Sequence, residues 1–355
     1  KIILRDAKLP GYVFLMGMIS VILQNHSIPT MRLINTFFSF LCLWVFYLIA
    51  KKIDSENAKV KLWQFLFLPI LFIFFFLIYT DVLSLLTILS AYYFLINGRY
   101  QLSGLSGIIG VLIRQNNILW IGFFLVYLFA DKYQWQINKK ILIKYLKDAW
   151  IFLLSIIIFL IFIFVNQGGA FGISNKLSQP ISIHFGNLYF FLFLFFFLFL
   201  PMHLNNFSKI LLKIKTSPVL LLLLFFFFIF YLITYQVDHL WNGPEFNFFL
   251  RNRVLNFSVS GIQEKALFFL PIGYVFLSLF VIQLRKNVYY LLYPFTIIFL
   301  SFSWLIEQRY YLIPLSLFIL FKKQLTPKIE YLNLLFFIVC SILLFFGVTN
   351  SLFFL

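Results

Sequence analysis

The chain has 355 residues, of which 63% are hydrophobic and 11% charged, and its mean hydropathy is +0.99. A water-soluble domain carries roughly 25% charged residues, so the composition excludes a soluble globular protein and indicates a chain embedded in a membrane. The formal net charge of +17 would suggest nucleic-acid binding in a soluble protein. In a membrane protein it first indicates basic cytoplasmic loops, and no nucleic-acid partner is expected.

The first apolar segment, residues 11–24, is short and is flanked by Pro10 and Pro29. This pattern predicts a helix that lies at the membrane interface or dips into it. The chain opens on Lys1 without a methionine, so we expect further residues upstream.

Longer apolar runs then recur to the end of the chain. A helix needs about 20 residues to cross about 30 Å of hydrocarbon, and fewer where neighbouring helices shelter it. The pattern predicts an all-α polytopic membrane protein with about twelve transmembrane helices. These runs cover residues 32–50, 63–79, 82–97, 102–113, 117–130, 149–166, 187–203, 217–235, 266–284, 288–305, 310–321 and 331–349. Residues 102–113 and 310–321 are too short to cross alone, which indicates broken helices around a cavity.

Lysine and arginine residues are divided unevenly between alternate loops. Six loops hold 18 of them and the opposite side holds ten. Basic loops resist translocation, so the first set is predicted to be cytoplasmic. Those loops are 51–62, 98–101, 131–148, 204–216, 285–287 and 322–330. The other side is predicted to face the ER lumen or an equivalent exterior. We expect one transmembrane domain over 1–355, with 1–31 as the remainder of a first luminal loop and 32–349 as the bundle.

Asp81 interrupts an otherwise uncharged apolar stretch between residues 62 and 96. A carboxylate at membrane depth is costly and by default marks a functional site or a paired charge. Alternatively, Thr80 or Asp81 is the N-cap of the helix over 82–97, where its side chain would accept hydrogen bonds from free backbone amides. Both interpretations are open.

Two further polar groups lie between apolar runs. Arg114, Gln115, Asn116 and Asn117 offer a cation and three amides, which suit an anionic, hydroxyl-rich ligand such as a phosphosugar. A plain polar turn would have the same composition.

The second group runs from Glu307 to Tyr310. Here Arg309 would bind phosphate while Glu307 holds the guanidinium in place. The alternative is a structural ion pair that closes a helix hairpin.

The two longest loops on the non-cytoplasmic side also carry candidate ligand contacts. The loop from Asn166 is rich in glycine and ends at His184, while residues 236–265 combine aromatic, acidic and basic groups. Aromatic and acidic side chains together suit a sugar, and arginine suits phosphate. The candidates are His184, His239, Trp241, Glu245 and Arg251, although most loops of this kind are only turns.

Several kinds of chemistry have no motif in this sequence. Cys42 and Cys340 both lie inside apolar runs, and no metal-ligand spacing, nucleotide-binding glycine motif or hydrolase elbow is present. We therefore expect neither a cofactor nor a metal.

Six short segments are spread along nearly the whole chain: Lys8 to Gly11, Arg32 to Asn35, Tyr79 to Val82, Arg114 to Ile118, His184 with Phe185, and Glu307 to Tyr310. The Arg114 turn and the Glu307 segment are the more specific of them. In their order and spacing the segments resemble the ER α-1,2-glucosyltransferase family, which adds the terminal glucose to the dolichol-linked N-glycan precursor.

The resemblance implies a GT-C fold in the ER membrane, with a catalytic cavity that faces the lumen. It implies dolichyl-phosphate-glucose as donor, a diglucosylated high-mannose glycan on dolichyl diphosphate as acceptor, an inverting displacement, and membrane lipids as the surroundings. The donor would contact Arg114 to Asn117 together with Glu307, Arg309 and Tyr310. The acceptor would contact the loop candidates.

The resemblance also bears on the catalytic carboxylates. In the family the main acidic pair follows one further transmembrane helix, so the resemblance implies that this helix and the pair lie upstream of Lys1. That leaves Asp6 and Asp81 as the catalytic candidates in this sequence. The family's late luminal motif is poorly kept, since residues 242–246 read Asn-Gly-Pro-Glu-Phe.

Three other functions are compatible with the same sequence. Another GT-C transferase that uses a different polyprenyl-phosphate sugar would share the fold and the phosphate sites. A secondary transporter is compatible with the interrupted helices, although no internal repeat supports it. A non-catalytic scaffold is the third alternative.

Overall fold

A computed structural model describes residues 11–166 and 182–354 of the chain. About 80% of the structure is helical, and among the described residues the extended pairing is limited to two isolated bridges, Phe249 with Phe354 and Leu284 with Lys322. The all-α class predicted from the sequence is confirmed.

The helices follow the predicted apolar runs, with different ends. We number them α1 Gly11–Ile22, α2 Ile28–Ile53, α3 Ala58–Leu66, α4 Pro69–Phe72, α5 Thr80–Ile96, α6 Tyr100–Ile113, α7 Ile118–Tyr133, α8 Lys139–Asn166, α9 Gly186–Leu198, α10 Leu200–Thr216, α11 Val219–Thr234, α12 Leu250–Ser258, α13 Ile262–Leu279, α14 Leu292–Ser301, α15 Leu312–Phe321 and α16 Pro327–Thr349. Short 3₁₀ segments join several of them: Ile73–Phe75, Gln115–Asn117, Leu240–Asn242, Pro244–Phe246, Asn287–Leu291 and Gln308–Tyr311.

Among the described residues, four helices are long and apolar enough to cross a membrane, namely α2, α8, α13 and α16. Two bent pairs raise the number to six if each pair forms one span: α3 with Pro69–Phe75, bent by 60°, and α9 with α10, bent by 95°. By length and composition the chain is therefore a multi-pass membrane protein.

Two predicted spans were wrong as continuous helices, and a proline accounts for each break. Pro69 lies in the first turn after the break in 63–79, and Pro201 lies in the first turn of α10. Proline has no backbone N–H and its ring clashes with the preceding turn, so it is tolerated at a helix start and not in an interior. The helix predicted over 187–203 therefore ends at Leu198. Residues 204–216, which were predicted to be a loop, belong to helix α10.

The predicted loop 131–148 is also shorter than expected, because α8 begins at Lys139. Lysine is a good helix former, and its long side chain reaches polar surroundings while the backbone continues into an apolar segment. The hydropathy pattern therefore placed the start of this helix too late.

By its internal contacts the chain forms two compact units; the single-domain organisation stays a prediction. The first unit comprises, of the described residues, 11–62, 74–166 and 286–299. In it the short helix α6 packs closely through its glycines. A Cβ added at Gly104 would lie 2.6 Å from the Ile151 side chain, and one at Gly110 would lie 2.9 Å from Thr87 Oγ1. Close packing thus shelters a helix predicted to be too short to stand alone.

The second unit comprises 63–73, 182–285 and 300–354. A buried ion pair holds the turn between α15 and α16. Lys322 Nζ donates to both Glu330 oxygens at 2.7 and 2.6 Å, and Gln64 Nε2 and the Leu325 backbone N–H donate to the same carboxylate. The carboxylate is buried with its partners in place, which satisfies its hydrogen-bonding capacity.

Candidate functional site

In the first unit, Asp81 is buried and forms an ion pair with Arg114. The N-cap of α5 is Tyr79, without a side-chain cap bond, so the predicted capping role of Thr80 or Asp81 was wrong. Asp81 instead lies in the first turn, where the helix dipole favours a negative charge, and its carboxylate turns to the arginine that follows α6. The predicted alternative of a paired charge is the arrangement in the structure.

The polar turn after Arg114 is a 3₁₀ segment, and Asn117 holds it closed. Asn117 is buried, and its amide donates to Ser84 Oγ and to the Gly110 carbonyl, both at 2.8 Å. Gln115 and Asn116 are partly exposed. Asn117 therefore has a structural part in this turn, while the side chains of its two neighbours remain partly accessible.

Tyr12 is a further residue of this site that the sequence did not indicate. Tyr12 lies on α1, and its hydroxyl is buried without a hydrogen bond to the described residues. The side chain is close enough to Asp81 to interact with its charge. Gly11 allows this approach, since a Cβ there would lie 2.7 Å from the Leu112 carbonyl carbon. A tyrosine in an apolar helix carries no sequence signal that separates a site from a core position.

We expect a double-mutant cycle with Asp81→Asn and Arg114→Gln to give a coupling energy of about 1 to 3 kcal/mol, since the carboxylate is buried and poorly screened. Thermal unfolding of the four proteins measures it. The matched control is the pair Asp131 and Lys286 of the same unit, 3.2 Å apart with side chains 38% and 55% exposed, for which about 1 kcal/mol or less is expected. Equal coupling in the two cycles would contradict a buried, functional pairing at Asp81.

In the second unit, two buried asparagines anchor the segment 303–311. Asn187, in the first turn of α9, donates to the carbonyls of Ser303 and Leu305 at 2.7 Å each. Its Oδ1 accepts from the Glu307 backbone N–H at 3.1 Å and from the Tyr311 hydroxyl at 3.0 Å.

Asn242 holds the same segment from the other side. It donates to the Ile306 carbonyl at 3.0 Å and accepts from the Ile306 N–H at 2.9 Å. It also donates to Asn252 Oδ1 at 3.1 Å, and Asn252 donates to the carbonyls of Trp241 and Phe246. These amides hold an irregular, buried backbone that would otherwise leave polar groups unpaired.

Between these anchors, Glu307 lies with two arginines. It pairs with Arg309, two residues along the chain, and Arg251 Nη1 of α12 lies 3.8 Å from its other oxygen. Glu307 and Arg251 are buried, and the Arg251 guanidinium lies 4.1 Å from the Phe249 ring centre. Two guanidinium groups and one carboxylate thus meet in a largely buried part of the described structure, and guanidinium groups suit an anionic ligand.

An apolar cavity of about 300 Å³ adjoins this cluster. Arg251 and Gln308 are the polar members of its lining. The others are apolar residues of α4, α9, α12 and α16, together with Cys340: Pro69, Ile70, Phe190, Phe193, Leu194, Phe197, Leu198, Leu250, Val254, Phe336, Leu343 and Leu344. The cavity therefore joins a hydrocarbon-like space to a guanidinium group.

A second pocket, of about 260 Å³, lies at the start of α9. The indole of Trp304 contributes to its wall. The His184 ring stacks on that indole, with 5.4 Å between the ring centres and 14° between the ring planes. The His239 ring meets the indole edge to face, with 4.9 Å between the ring centres. The indole Nε1 donates to Asp238 Oδ1 at 2.7 Å.

The remaining loop candidates are not part of these clusters. Trp241 is 51% exposed and packs on Phe246 at 4.6 Å, and Glu245 is exposed. Tyr310 is partly exposed at the end of the Glu307 segment, and its N–H donates to the Glu307 carbonyl. Asp6 and residues 167–181 lie outside the described residues.

Sequence reasoning missed Asn187 and Trp304. Asn187 did carry a usable signal, because a lone amide in the apolar run 187–203 must find hydrogen-bonding partners. Trp304 carried none, since aromatic residues are 22% of this chain. Among the described residues no group of three or more metal-ligating side chains occurs.

We expect acid to destabilise the second unit through His239. Burial lowers the pKa of His239 and outweighs the carboxylates of Asp238 and Glu307, and its Nδ1 accepts a hydrogen bond from the Trp241 N–H. The folded state therefore binds the proton less tightly than the unfolded chain does. The contribution of neutral His239 to the stability of the fold is therefore fully present above the ordinary histidine pKa of about 6.5, and it is lost as the pH falls below that value.

Thermal unfolding between pH 7.5 and 5.5 measures this effect. His239→Gln should reduce the loss of stability in acid, whereas the same replacement at the exposed His26 should not. An unchanged acid response in His239→Gln would contradict the assignment.

Comparison with known proteins gives a family and several relatives. Residues 9–142 match the DIE2/ALG10 family. The chain is 26% identical over 225 residues to a Rattus norvegicus protein named Dol-P-Glc:Glc(2)Man(9)GlcNAc(2)-PP-Dol alpha-1,2-glucosyltransferase, covering 52% of this chain and 47% of the rat protein. It is 27% identical over 313 residues to a Debaryomyces hansenii protein of the same name, covering 77% of this chain and 66% of the yeast protein.

A Homo sapiens protein of that name is 25% identical over 224 residues, with 52% of this chain and 47% of the human protein covered. The chain thus spans about half the length of the mammalian relatives and about two thirds of the yeast one. No solved structure matches it. The resemblance drawn from the sequence motifs is confirmed.

Proposed function

We propose that this chain, whose residues 9–142 carry a DIE2/ALG10 family domain, is a multi-pass ER membrane glucosyltransferase with its active site facing the lumen. It moves glucose from dolichyl-phosphate-glucose to the diglucosylated high-mannose glycan on dolichyl diphosphate and forms the terminal α-1,2 linkage. The names of its relatives support this donor, acceptor and linkage. We also propose the GT-C bundle of about twelve spans, in which the short apolar helices cross the membrane sheltered by their neighbours.

One observation carries the proposal for the donor: the apolar cavity lined by Arg251 adjoins the Glu307 and Arg309 pair. A dolichyl phosphate combines a long apolar chain with an anionic head. The chain needs water-free apolar surface, and the phosphate needs cations in a fork geometry that matches its oxygens. Both are present within one compact unit, where Glu307 forms ion pairs with the two arginines and positions their guanidinium groups.

The chemistry is one displacement at the anomeric carbon. The acceptor hydroxyl attacks that carbon from the face opposite the phosphate, so the configuration inverts. A carboxylate takes the hydroxyl proton, and cations stabilise the charge that develops on the departing dolichyl phosphate.

We assign the stabilisation of the leaving phosphate to Arg251 and Arg309, and we keep Arg114 as a further donor contact. Asp81 forms an ion pair with Arg114 and positions that guanidinium. Because its carboxylate is engaged in this pair, Asp6 is the better candidate for the base. The partly exposed amides of Gln115 and Asn116 suit the hydroxyl groups of a sugar.

A transfer assay tests the proposal. The full-length protein in liposomes, with synthetic dolichyl-phosphate-glucose and the Glc(2)Man(9)GlcNAc(2)-PP-Dol acceptor, should add one hexose that an α-1,2-specific glucosidase removes. Dolichyl-phosphate-mannose is the control donor. Transfer from the mannose donor in preference would favour another GT-C transferase, and no transfer with any donor and several acceptors would refute the proposal.

A further inference from the structure

The pocket at the start of α9 is separate from the arginine cluster in both lining and charge. Its lining includes Asp238, Gln236, Thr234 and the rings of His184 and Trp304. It contains a carboxylate, an amide and a hydroxyl, and neither lysine nor arginine is among the described residues that line it. A carboxylate without a nearby cation repels phosphate and accepts hydrogen bonds from hydroxyl groups.

The aromatic wall of this pocket is held rigidly. The indole of Trp304 lies between His184 and His239, and its N–H is held by Asp238 Oδ1 at 2.7 Å. The His184 backbone N–H donates to the Ser301 carbonyl at 2.8 Å. Asp238 lines the pocket, and among the described residues no hydrogen bond uses its Oδ2, which keeps its capacity to accept one.

The pocket is also close to the proposed site of reaction. Trp304 is three residues before Glu307, so their Cα atoms are at most about 11 Å apart even in fully extended chain. A sugar ring in the pocket would therefore lie beside the segment that carries Glu307 and Arg309.

From this geometry we propose that the pocket binds a neutral hexose of the acceptor glycan and so determines acceptor specificity. Asp238 Oδ2 and Gln236 bind hydroxyl groups, and the His184 and Trp304 rings cover the apolar edge of the sugar. The inference rests on the proposed function for the identity of the glycan. The donor sugar is the less suitable occupant because its phosphate would approach the Asp238 carboxylate.

A binding experiment that needs no turnover tests the proposal. The full-length protein in nanodiscs is titrated with free Glc(2)Man(9)GlcNAc(2), which lacks both lipid and diphosphate, and saturation-transfer NMR identifies the sugar protons in contact. We expect contacts on the terminal glucoses and at least tenfold weaker binding of Man(9)GlcNAc(2). Glucose 1-phosphate should not compete.

Asp238→Asn keeps an acceptor for the indole N–H and replaces Oδ2 with a donor. Gln236→Ala shortens an exposed side chain. Each variant should weaken glycan binding at least fivefold with an unchanged melting temperature. Glu264→Gln, which removes a carboxylate elsewhere in the same unit, should bind as the wild type does.

The outcomes separate this inference from the proposed function. Wild-type glycan affinity in both pocket variants, or competition by glucose 1-phosphate, overturns the inference even if transfer is observed. Specific glycan binding that both variants lose supports it even if no transfer is found.

Discussion

Replacement of Arg309 by alanine is expected to lower the rate of glucose transfer about 100- to 1000-fold, the usual effect of removing one group that stabilises a developing negative charge. The fold should persist, because Glu307 retains Arg251 3.8 Å away and the surrounding segment is held by Asn187 and Asn242. Arg309→Lys should recover part of the rate, since it restores the charge without the planar fork. The measurements are kcat/KM for the donor and the melting temperature of each protein.

Arg253→Ala is the matched control for this experiment. Arg253 lies on α12 two residues from Arg251, is exposed, and donates from Nε to the Asn247 carbonyl at 2.8 Å. It should retain nearly full activity. If Arg309→Ala instead lost folding yield and turnover to the same extent, the Glu307 and Arg309 pair would be a structural ion pair that closes a hairpin.

Asn187→Ala is expected to have the largest effect on stability, a loss of about 3 kcal/mol or more, because it leaves several buried polar groups unpaired. The replacement leaves the carbonyls of Ser303 and Leu305, the Glu307 N–H and the Tyr311 hydroxyl without their buried partner. Each unsatisfied buried group costs about 1 to 3 kcal/mol, with part of the sum recovered by relaxation or entering water. Thermal unfolding in detergent and the yield of monodisperse protein measure the effect.

Two further variants sharpen this test. Asn205→Ala makes the same replacement at an exposed position of the same unit and should change stability by about 0.5 kcal/mol or less. Asn187→Asp keeps the shape but cannot donate to the two carbonyls, so it should be nearly as harmful as alanine. Wild-type stability in Asn187→Ala would show that the segment 303–311 is held by other contacts.

The two charged segments show which parts of the candidate site can be predicted from the sequence. Arg114 and Glu307 were recognisable because charges within apolar runs are costly and must have a partner or a ligand. Their partners were only partly predictable. Arg309 is two residues from Glu307, so that pair follows from the sequence, whereas Asp81 and Arg114 are 33 positions apart and meet because α5 and α6 pack through glycine.

Asn187 and Trp304 show where sequence reasoning ends. An asparagine in an apolar run must find partners, but the run does not say which of the remaining carbonyls it will meet, and these lie 116 and 118 positions away. Trp304 is one aromatic residue among many, and only its position between two histidines and beside Asp238 separates it from the others. The helix breaks at Pro69 and Pro201 were readable, since proline lacks the N–H that a helix interior needs.

The sequence by itself determined the class of the protein, because apolar runs with few charges can be stable only as helices in a membrane, where every backbone group is paired internally. It also determined the charges around which a site is built and the family that the chain resembles. The tertiary structure decided which charges pair, which asparagines hold the irregular segment, and that an apolar cavity adjoins Arg251. Such features depend on contacts between residues far apart in the chain, and a local pattern of hydropathy and charge does not encode those distances.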